Sequence, residues 1–252
     1  EASESFGVVL AGRPYHSDEF VNHNLSTFFT SLGIPVLTLD ALPLEREDLK
    51  QTRLDTINSF HARVLSAAQY VAKHPKLEMV QTVSFGCGHD ATLTDEMHRI
   101  YTELSNKEPL VVKLDEGEVK GPLNIRVKSF IETIRAKRKS EETLVKKEQL
   151  SEPYSVKFTK EDASKRTILI PNLSPSFSLL IGKMFEREGY KTKNLPLANR
   201  RAIELGKKYV HNDICFPAQI NIGEALFLIE NGEVSPDEVA VGLAKNCEHC
   251  RA

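Results

Sequence analysis

The chain is short of several things. It has only 4 cysteines in 252 residues, too few and too scattered for a disulfide scaffold; in a reducing compartment they read as metal ligands or buried thiols. No apolar run approaches the roughly 20 residues that span a bilayer. Charge of one sign is not in excess, since 33 Lys and Arg face 35 Asp and Glu for a net −2, so nothing marks a nucleic-acid footprint. The acidic start, Glu1 to Ser5, does not have the basic and apolar build of a secretory signal. Together these point to a cytoplasmic protein that meets neither membrane nor nucleic acid. Two nucleotide signatures are missing as well. The turn Gly12-Arg13-Pro14-Tyr15-His16 follows the first apolar run, where a phosphate loop would sit, but it fits neither Gly-x-x-x-x-Gly-Lys-Ser/Thr nor Gly-x-Gly-x-x-Gly. No ATP site is expected in this stretch of chain. The sequence opens without Met and stops two residues after Cys250, which reads as a piece of a longer polypeptide.

What is present is ordinary globular composition, 40% hydrophobic and 27% charged, with enough length for one large or two modest domains. Apolar runs at 6–12, 34–39, 79–85 and 109–114 read as strands. Helical spacing covers 18–32, about 46–73 and 94–104, the last with Thr94-Asp95-Glu96 as a capped start. This βαβα alternation predicts a parallel sheet with helices on both faces. Residues from about 124 to 150 turn basic and read as a solvated helix entering a linker. The strand–helix pattern restarts at Thr167: strands at 167–172, 191–195 and 239–243, with helices at 177–187, 198–209 and from Pro217 through Ile229. The expected organisation is a first α/β domain over 1–145, a linker over 146–165 and a second α/β domain over 166–252.

The cysteines fall on turns where soft metals are held. Cys87 lies in Phe85-Gly86-Cys87-Gly88 after a strand, Cys215 stands just before the Pro217 helix, and Cys247 and Cys250 form a Cys-x-x-Cys pair after the last strand. In open parallel sheets ligands collect beyond the carboxyl ends of the strands. A helix N-terminus favours a thiolate, and Gly86 and Gly88 let backbone N–H groups approach sulfide. Four thiolates on one point would select an iron–sulfur cluster, most simply [4Fe–4S], over a hard cation. Each element also has a plainer reading. Cys87 can be a small buried apolar residue, and Cys-x-x-Cys can be a redox dithiol or a zinc pair. Arg13, Tyr15, His16 and His89 are candidates for lining a substrate or cluster cleft. Arg13 can equally pair with Asp115 or Glu116, and His89-Asp90 can cap the helix after Cys87. No catalytic residue is assigned.

Gly12-Arg13-Pro14-Tyr15-His16-Ser17-Asp18, Phe85-Gly86-Cys87-Gly88-His89-Asp90-Ala91, Leu114-Asp115-Glu116, Asn124-Ile125-Arg126-Val127-Lys128-Ser129, Asn212-Asp213-Ile214-Cys215-Phe216-Pro217-Ala218 and Cys250-Arg251-Ala252 are together similar to motifs of the acyl-CoA dehydratase activase-related proteins, the activators of 2-hydroxyglutaryl-CoA dehydratase. The resemblance runs over nearly the whole chain. It implies two Rossmann-like (flavodoxin-like) parallel-sheet domains akin to dehydratase and double-cubane-cluster subunits, with an iron–sulfur cluster held at Cys87, Cys215 and Cys250. It also implies ATP-coupled, low-potential electron transfer, ATPase activator modules upstream in a longer chain or in a separate protein, and an acyl-CoA as a possible substrate. Cys247 sits in Lys245-Asn246-Cys247-Glu248-His249, where the family has a Gly-rich run. Two other functions stay open: a catalytic dehydratase- or reductase-type segment with a small-substrate cleft, and a metal-free scaffold.

Overall fold

A computed structural model of the chain describes residues 5–44, 49–53, 59–84, 88–114, 117, 120–140, 145–147, 149–151, 158–172 and 174–243. The described residues form an α/β structure with two parallel sheets, of four and three strands, and eight α-helices. The chain divides into two compact units, one of residues 1–86 and 92–153, the other of 87–91 and 154–252.

In the first unit, β1 (Gly7–Ala11), β2 (Val36–Thr38), β3 (Leu77–Ser84) and β4 (Leu110–Leu114) lie in the order β2-β1-β3-β4. Val8 pairs with Val36 on one side and Glu78 on the other, and Val80 pairs with Leu110. Successive strand residues point to opposite faces, and β1 is apolar on both, as a parallel strand covered twice must be. Val9 and Ala11 enter a core with Val64, Leu65 and Val71 of α2 (Ser59–Lys73) and Met97, Ile100 and Leu104 of α3 (Gly88–Leu104). Val8 enters the opposite core, with Leu25 and Phe29 of α1 (Leu25–Ser31) and Val127, Ile131 and Ile134 of α4 (Lys120–Lys139). Helices therefore cover both faces of this sheet.

In the second unit, β5 (Thr167–Ile170), β6 (Lys191–Asn194) and β7 (Val239–Val241) run parallel in the order β6-β5-β7. They are accompanied by α5 (Asp162–Lys165), α6 (Pro175–Arg187), α7 (Arg200–Tyr209) and α8 (Phe216–Glu230). Gly206 and Gly223 let the backbones of α7 and α8 touch: a Cβ at either would collide with the main chain of Gln219 or Ala202. α6 turns its small residues inward, with Ser178 and Gly182 buried, and leaves Phe177, Leu180 and Met184 half or more exposed.

Several sequence expectations need correction. The first helix begins at Leu25 rather than Asp18, because the Asp18 carboxylate accepts the Phe20 and Val21 N–H groups in a turn and His23 and Asn24 adopt positive φ. Residues 49–53 form turns instead of helix. α3 starts six residues before Thr94, whose hydroxyl donates to the Gln81 side chain at 2.9 Å from the helix interior. The basic end of α4 is not wholly solvated. Arg138 donates to Glu78 at 2.8 Å, and both side chains are buried.

That ion pair belongs to a buried polar cluster at the amino ends of β3 and β4. The Lys107 ammonium donates to the carbonyls of Val71, His74 and Leu77, closing the end of α2 and the turn after it. Burial pushes Glu78 upward against the pull of Lys107 and Arg138. It pushes Lys107 down to about 8 and the fully enclosed Tyr101 well up. A cavity of about 380 Å³ beside β4 and α4 is lined by Lys107, Arg126, Lys137 and Arg138 among others. These cations are committed to the protein itself: Arg126 donates to the Val111 carbonyl and Lys137 to that of Asn106.

Candidate functional site

Two places gather the residues singled out in the sequence. The first is the turn after β1. Pro14–Ser17 forms a short 3₁₀ turn in which the His16 N–H donates to the Arg13 carbonyl at 2.9 Å. The Arg13 N–H in turn donates to His16 Nδ1 at 3.1 Å, so in the neutral ring the proton sits on Nε2. Asn22 holds this loop to α1: its amide donates to the His16 carbonyl and its oxygen accepts from Leu25 N–H, each at 3.0 Å. Gly12 is wedged where a Cβ would collide with Thr82 Oγ1 and His16 Nδ1, while Thr82 Oγ1 donates to the Ala11 carbonyl at 3.2 Å. His16 is buried and Tyr15 is exposed, its ring set edge-on to His16 at 4.6 Å.

Below this turn lies a cavity of about 190 Å³ at the carboxyl ends of β1 and β2. Arg13 and His16 line it, and Tyr15 does not. Thr38, Asp40, Phe60 and Arg63 close it from β2, the 3₁₀ turn after it (Leu39–Ala41) and α2, and Arg63 is ion-paired with Asp40. None of these four was legible as a site residue. They are 22 or more positions from the Gly12–His16 motif; the parallel pairing of β1 with β2 brings Thr38 and Asp40 there, and the packing of α2 brings Phe60 and Arg63. In this sheet the chain leaves β1 toward β2 on one side and leaves β3 toward β4 on the other, so the switch point, where ligands of open α/β sheets collect, lies between β1 and β3, beside the Gly12 turn and Thr82 of the cavity wall.

The second place is in the other unit. Cys215 is the N-cap of α8, with extended backbone (φ −58°, ψ 148°), no capping hydrogen bond from its side chain and Pro217 in the first turn. The turn before it is tied by Ile214 N–H to the His211 carbonyl at 3.0 Å and by Asp213 N–H to His211 Nδ1 at 3.2 Å. The Gln219 amide donates to the Ile214 carbonyl at 2.9 Å. Cys215 is half-buried and forms no disulfide among the described residues. Gly88, the first residue of α3, is its neighbour: a Cβ there would lie 3.4 Å from Cys215 N and 3.9 Å from its Sγ. Two long helices, of 17 and 15 residues, thus bring their N-termini together at one thiol. His89 follows Gly88 in the first turn of α3 and is half-buried. Asp90, also in that turn, is buried, whereas α8 has no acid in its own first turn.

Cys87, Cys247, Cys250, Gly86 and the possible Arg13 partners Asp115 and Glu116 lie outside the described residues. Among the described residues no group of three or more His, Cys, Asp or Glu side chains is placed to hold a metal ion, and no helix is long and apolar enough to cross a membrane.

Residues 1–42 match the family described as CoA enzyme activase uncharacterised domain (DUF2229), which supports a protein related to CoA-enzyme activases, and so a general activator-like role. The matched segment carries β1, the Gly12–Ser17 turn, α1 and β2, which form much of the cavity wall. Neither the curated proteins nor the solved structures yield a match.

Proposed function

We propose that this chain is the iron–sulfur-binding segment of an activator of a 2-hydroxyacyl-CoA dehydratase type of enzyme, serving ATP-coupled, low-potential electron transfer. The observation that carries the reading is the meeting of Gly88 with Cys215. Each helix N-terminus presents about half a positive charge and a set of N–H groups with no partner inside the helix. Two such ends facing one point repel unless an anion lies between them. Thiolates ligating a cluster supply that negative charge, and the N–H groups of both first turns suit its sulfides. Asp90 stands in the first turn of α3, and α8 has no acid in its own first turn. Cys87 is bonded directly to Gly88 in the chain and is the ligand proposed beside Cys215. Cys250, with Cys247 as fourth ligand, completes the proposed set, and a bound cluster would supply one-electron redox chemistry.

Both units are, in this reading, Rossmann-like domains joined by a linker over residues 146–165. The β2-β1-β3-β4 order of the first sheet supports the flavodoxin-like variant. The protein works in the cytoplasm beside an ATPase module, in its own longer chain or separate, and an acyl-CoA enzyme receives the electrons. Expression and purification without oxygen, followed by iron and sulfide analysis and electron paramagnetic resonance of the reduced protein, tests this. About four irons and four sulfides per chain are expected, lost on Cys87→Ala or Cys215→Ala with the circular dichroism unchanged. A chain that binds no iron under these conditions, or one whose iron is indifferent to both substitutions, would overturn the reading.

A further inference from the structure

The larger cavity of the first unit, about 380 Å³ between α4 and the chain entering β4, is lined by charge of mainly one sign. Four cations, Lys107, Arg126, Lys137 and Arg138, stand against two carboxylates, Glu78 and Glu108, an excess of two positive charges. Arg138 and Glu78 form a buried ion pair, and Glu108 is exposed and bonded to none of the cations. The other three cations hold neutral groups: Lys107 three carbonyls, Arg126 that of Val111 and Lys137 that of Asn106. A carbonyl fixes where a cation sits and leaves its charge uncancelled. Lys107 uses all its N–H groups in this way, so it adds field and no donor. Arg126 and Lys137 keep N–H groups to spare, since among the described residues each makes a single hydrogen bond and no ion pair. These two cations stand at opposite ends of the cavity. Positions 126 and 137 of α4 are about 16 Å apart along the axis, at about 1.5 Å per residue. Their carbonyl partners, Val111 and Asn106, are separated by about the same length of chain, at about 3.3 Å per residue. Between them the wall is apolar, with Leu110, Phe130 and Ile134. A compact anion reaches one end only, and a neutral chain leaves both charges unanswered.

We propose that this groove binds a linear dianion, an α,ω-dicarboxylate whose apolar chain joins one carboxylate at Arg126 to another at Lys137. The guanidinium fork of Arg126 suits two carboxylate oxygens, and the Lys137 ammonium acts as a point charge. Lys107, next to Asn106 in the chain, adds its charge to the Lys137 end. The hydrocarbon lies on Leu110, Phe130 and Ile134. Length selects the ligand. Two hydrogen bonds of about 2.9 Å and a chain of about nine carbons, about 10 Å long with C–C bonds of about 1.5 Å, add to the span of about 16 Å. The volume equals about a dozen water molecules at roughly 30 Å³ each, room for one narrow chain of that length. The site lies at the amino end of β4, within the first unit, and stands or falls independently of the iron.

The test is titration of the full 252-residue chain, with or without iron, followed by ¹H–¹⁵N spectra. The probes are azelate (nonanedioate), glutarate, nonanoate and inorganic phosphate. Azelate should give saturable shifts confined to residues near 107–111 and 125–138, with a Kd of about 1 mM or tighter. Glutarate is too short to span the groove, nonanoate has one carboxylate, and phosphate is compact. Each should bind at least about tenfold more weakly, the loss of one charge-assisted contact. Arg126→Gln and, separately, Lys137→Gln should each bring azelate down to about the affinity of nonanoate. Arg126 is exposed, so its variant keeps the fold and the test does not depend on Lys137→Gln alone. The proposal is overturned by an absence of saturable shifts up to about 20 mM azelate, about 20-fold above the expected Kd. It is overturned equally by glutarate, nonanoate or phosphate binding as tightly as azelate, or by azelate affinity unchanged in both variants.

Discussion

Replacing Gly88 by alanine separates a cluster site from a merely well-packed helix end. Gly88 is the first residue of α3 and is not among the glycines with positive φ, so alanine fits the backbone. Its methyl would sit 3.4 Å from Cys215 N, 3.9 Å from Sγ and 4.0 Å from Cβ, ordinary van der Waals distances worth about 0.1–0.2 kcal/mol of attraction per atom pair. Alanine in place of glycine inside a helix gains up to about 1 kcal/mol, and less in a first turn. The iron-free protein should therefore be unchanged or stabilised, with Tm higher by up to about 2–4 °C for a chain of this size. The proposed cluster needs the same space beside the Cys215 sulfur that the methyl would fill. Iron and sulfide per chain after anaerobic purification should then fall by at least about half. Retention of full iron in Gly88→Ala would refute the placement of the cluster against α3. A loss of more than about 1 kcal/mol in the iron-free protein would refute the packing argument, since it would mean that the methyl has no room.

Three further outcomes rest on the first unit. Glu96 is 1% exposed and accepts from Arg53 and Arg99, so Glu96→Ala, which takes one acidic partner from each cation and leaves Asp95 to Arg53 and Glu103 to Arg99, should cost about 1.5–3 kcal/mol in urea unfolding; a cost under about 1 kcal/mol would show that water reaches the pair. Gly12→Ala should cost about 1–3 kcal/mol, because its methyl collides with Thr82 Oγ1 and His16 Nδ1, and it should displace the resonances of residues 12–17; an unchanged Tm and spectrum would contradict the steric account. Burial works against the Glu103 carboxylate, but hydrogen bonds from Ser151 and the Arg99 guanidinium outweigh it and hold it below its ordinary value of 4.5. Its folded value is thus below its unfolded one, so its contribution is full above about pH 4.5 and is lost as pH falls through the folded value. The stability difference between wild type and Glu103→Gln, followed by urea unfolding from pH 7 to pH 3, should shrink in that acid range; a constant or growing difference would reverse the sign.

The α/β character was legible in the sequence because its cause is local. Apolar runs such as Val8-Val9-Leu10 are what a strand buried on both faces requires. The Gly189 turn, with φ +89°, ends α6 as the glycine there predicts, and Pro217 opens α8. The β1 turn was legible as a candidate site for the same reason: its motif is contiguous, and strand ends in parallel sheets gather ligands. Periodicity failed where side chains compete with the backbone, as Asp18 does before α1. It also failed where an exposed-looking charge is buried by a distant partner, as with Glu78, Lys107 and Arg138. The outward apolar face of α6 was hidden too, since Ser178 and Gly182 take the inside only because β6 approaches closely, with Asn194 against Gly182. Tertiary structure alone decided which residues meet. The pairing of β1 with β2 carries Thr38 and Asp40 to Arg13, and the packing of the second unit sets the start of α3 against Cys215, 127 positions along the chain from Gly88. Hydrophobic spacing along a chain records which face of an element is buried. It carries no record of which other element arrives there, because that choice is made by long-range packing over the whole fold.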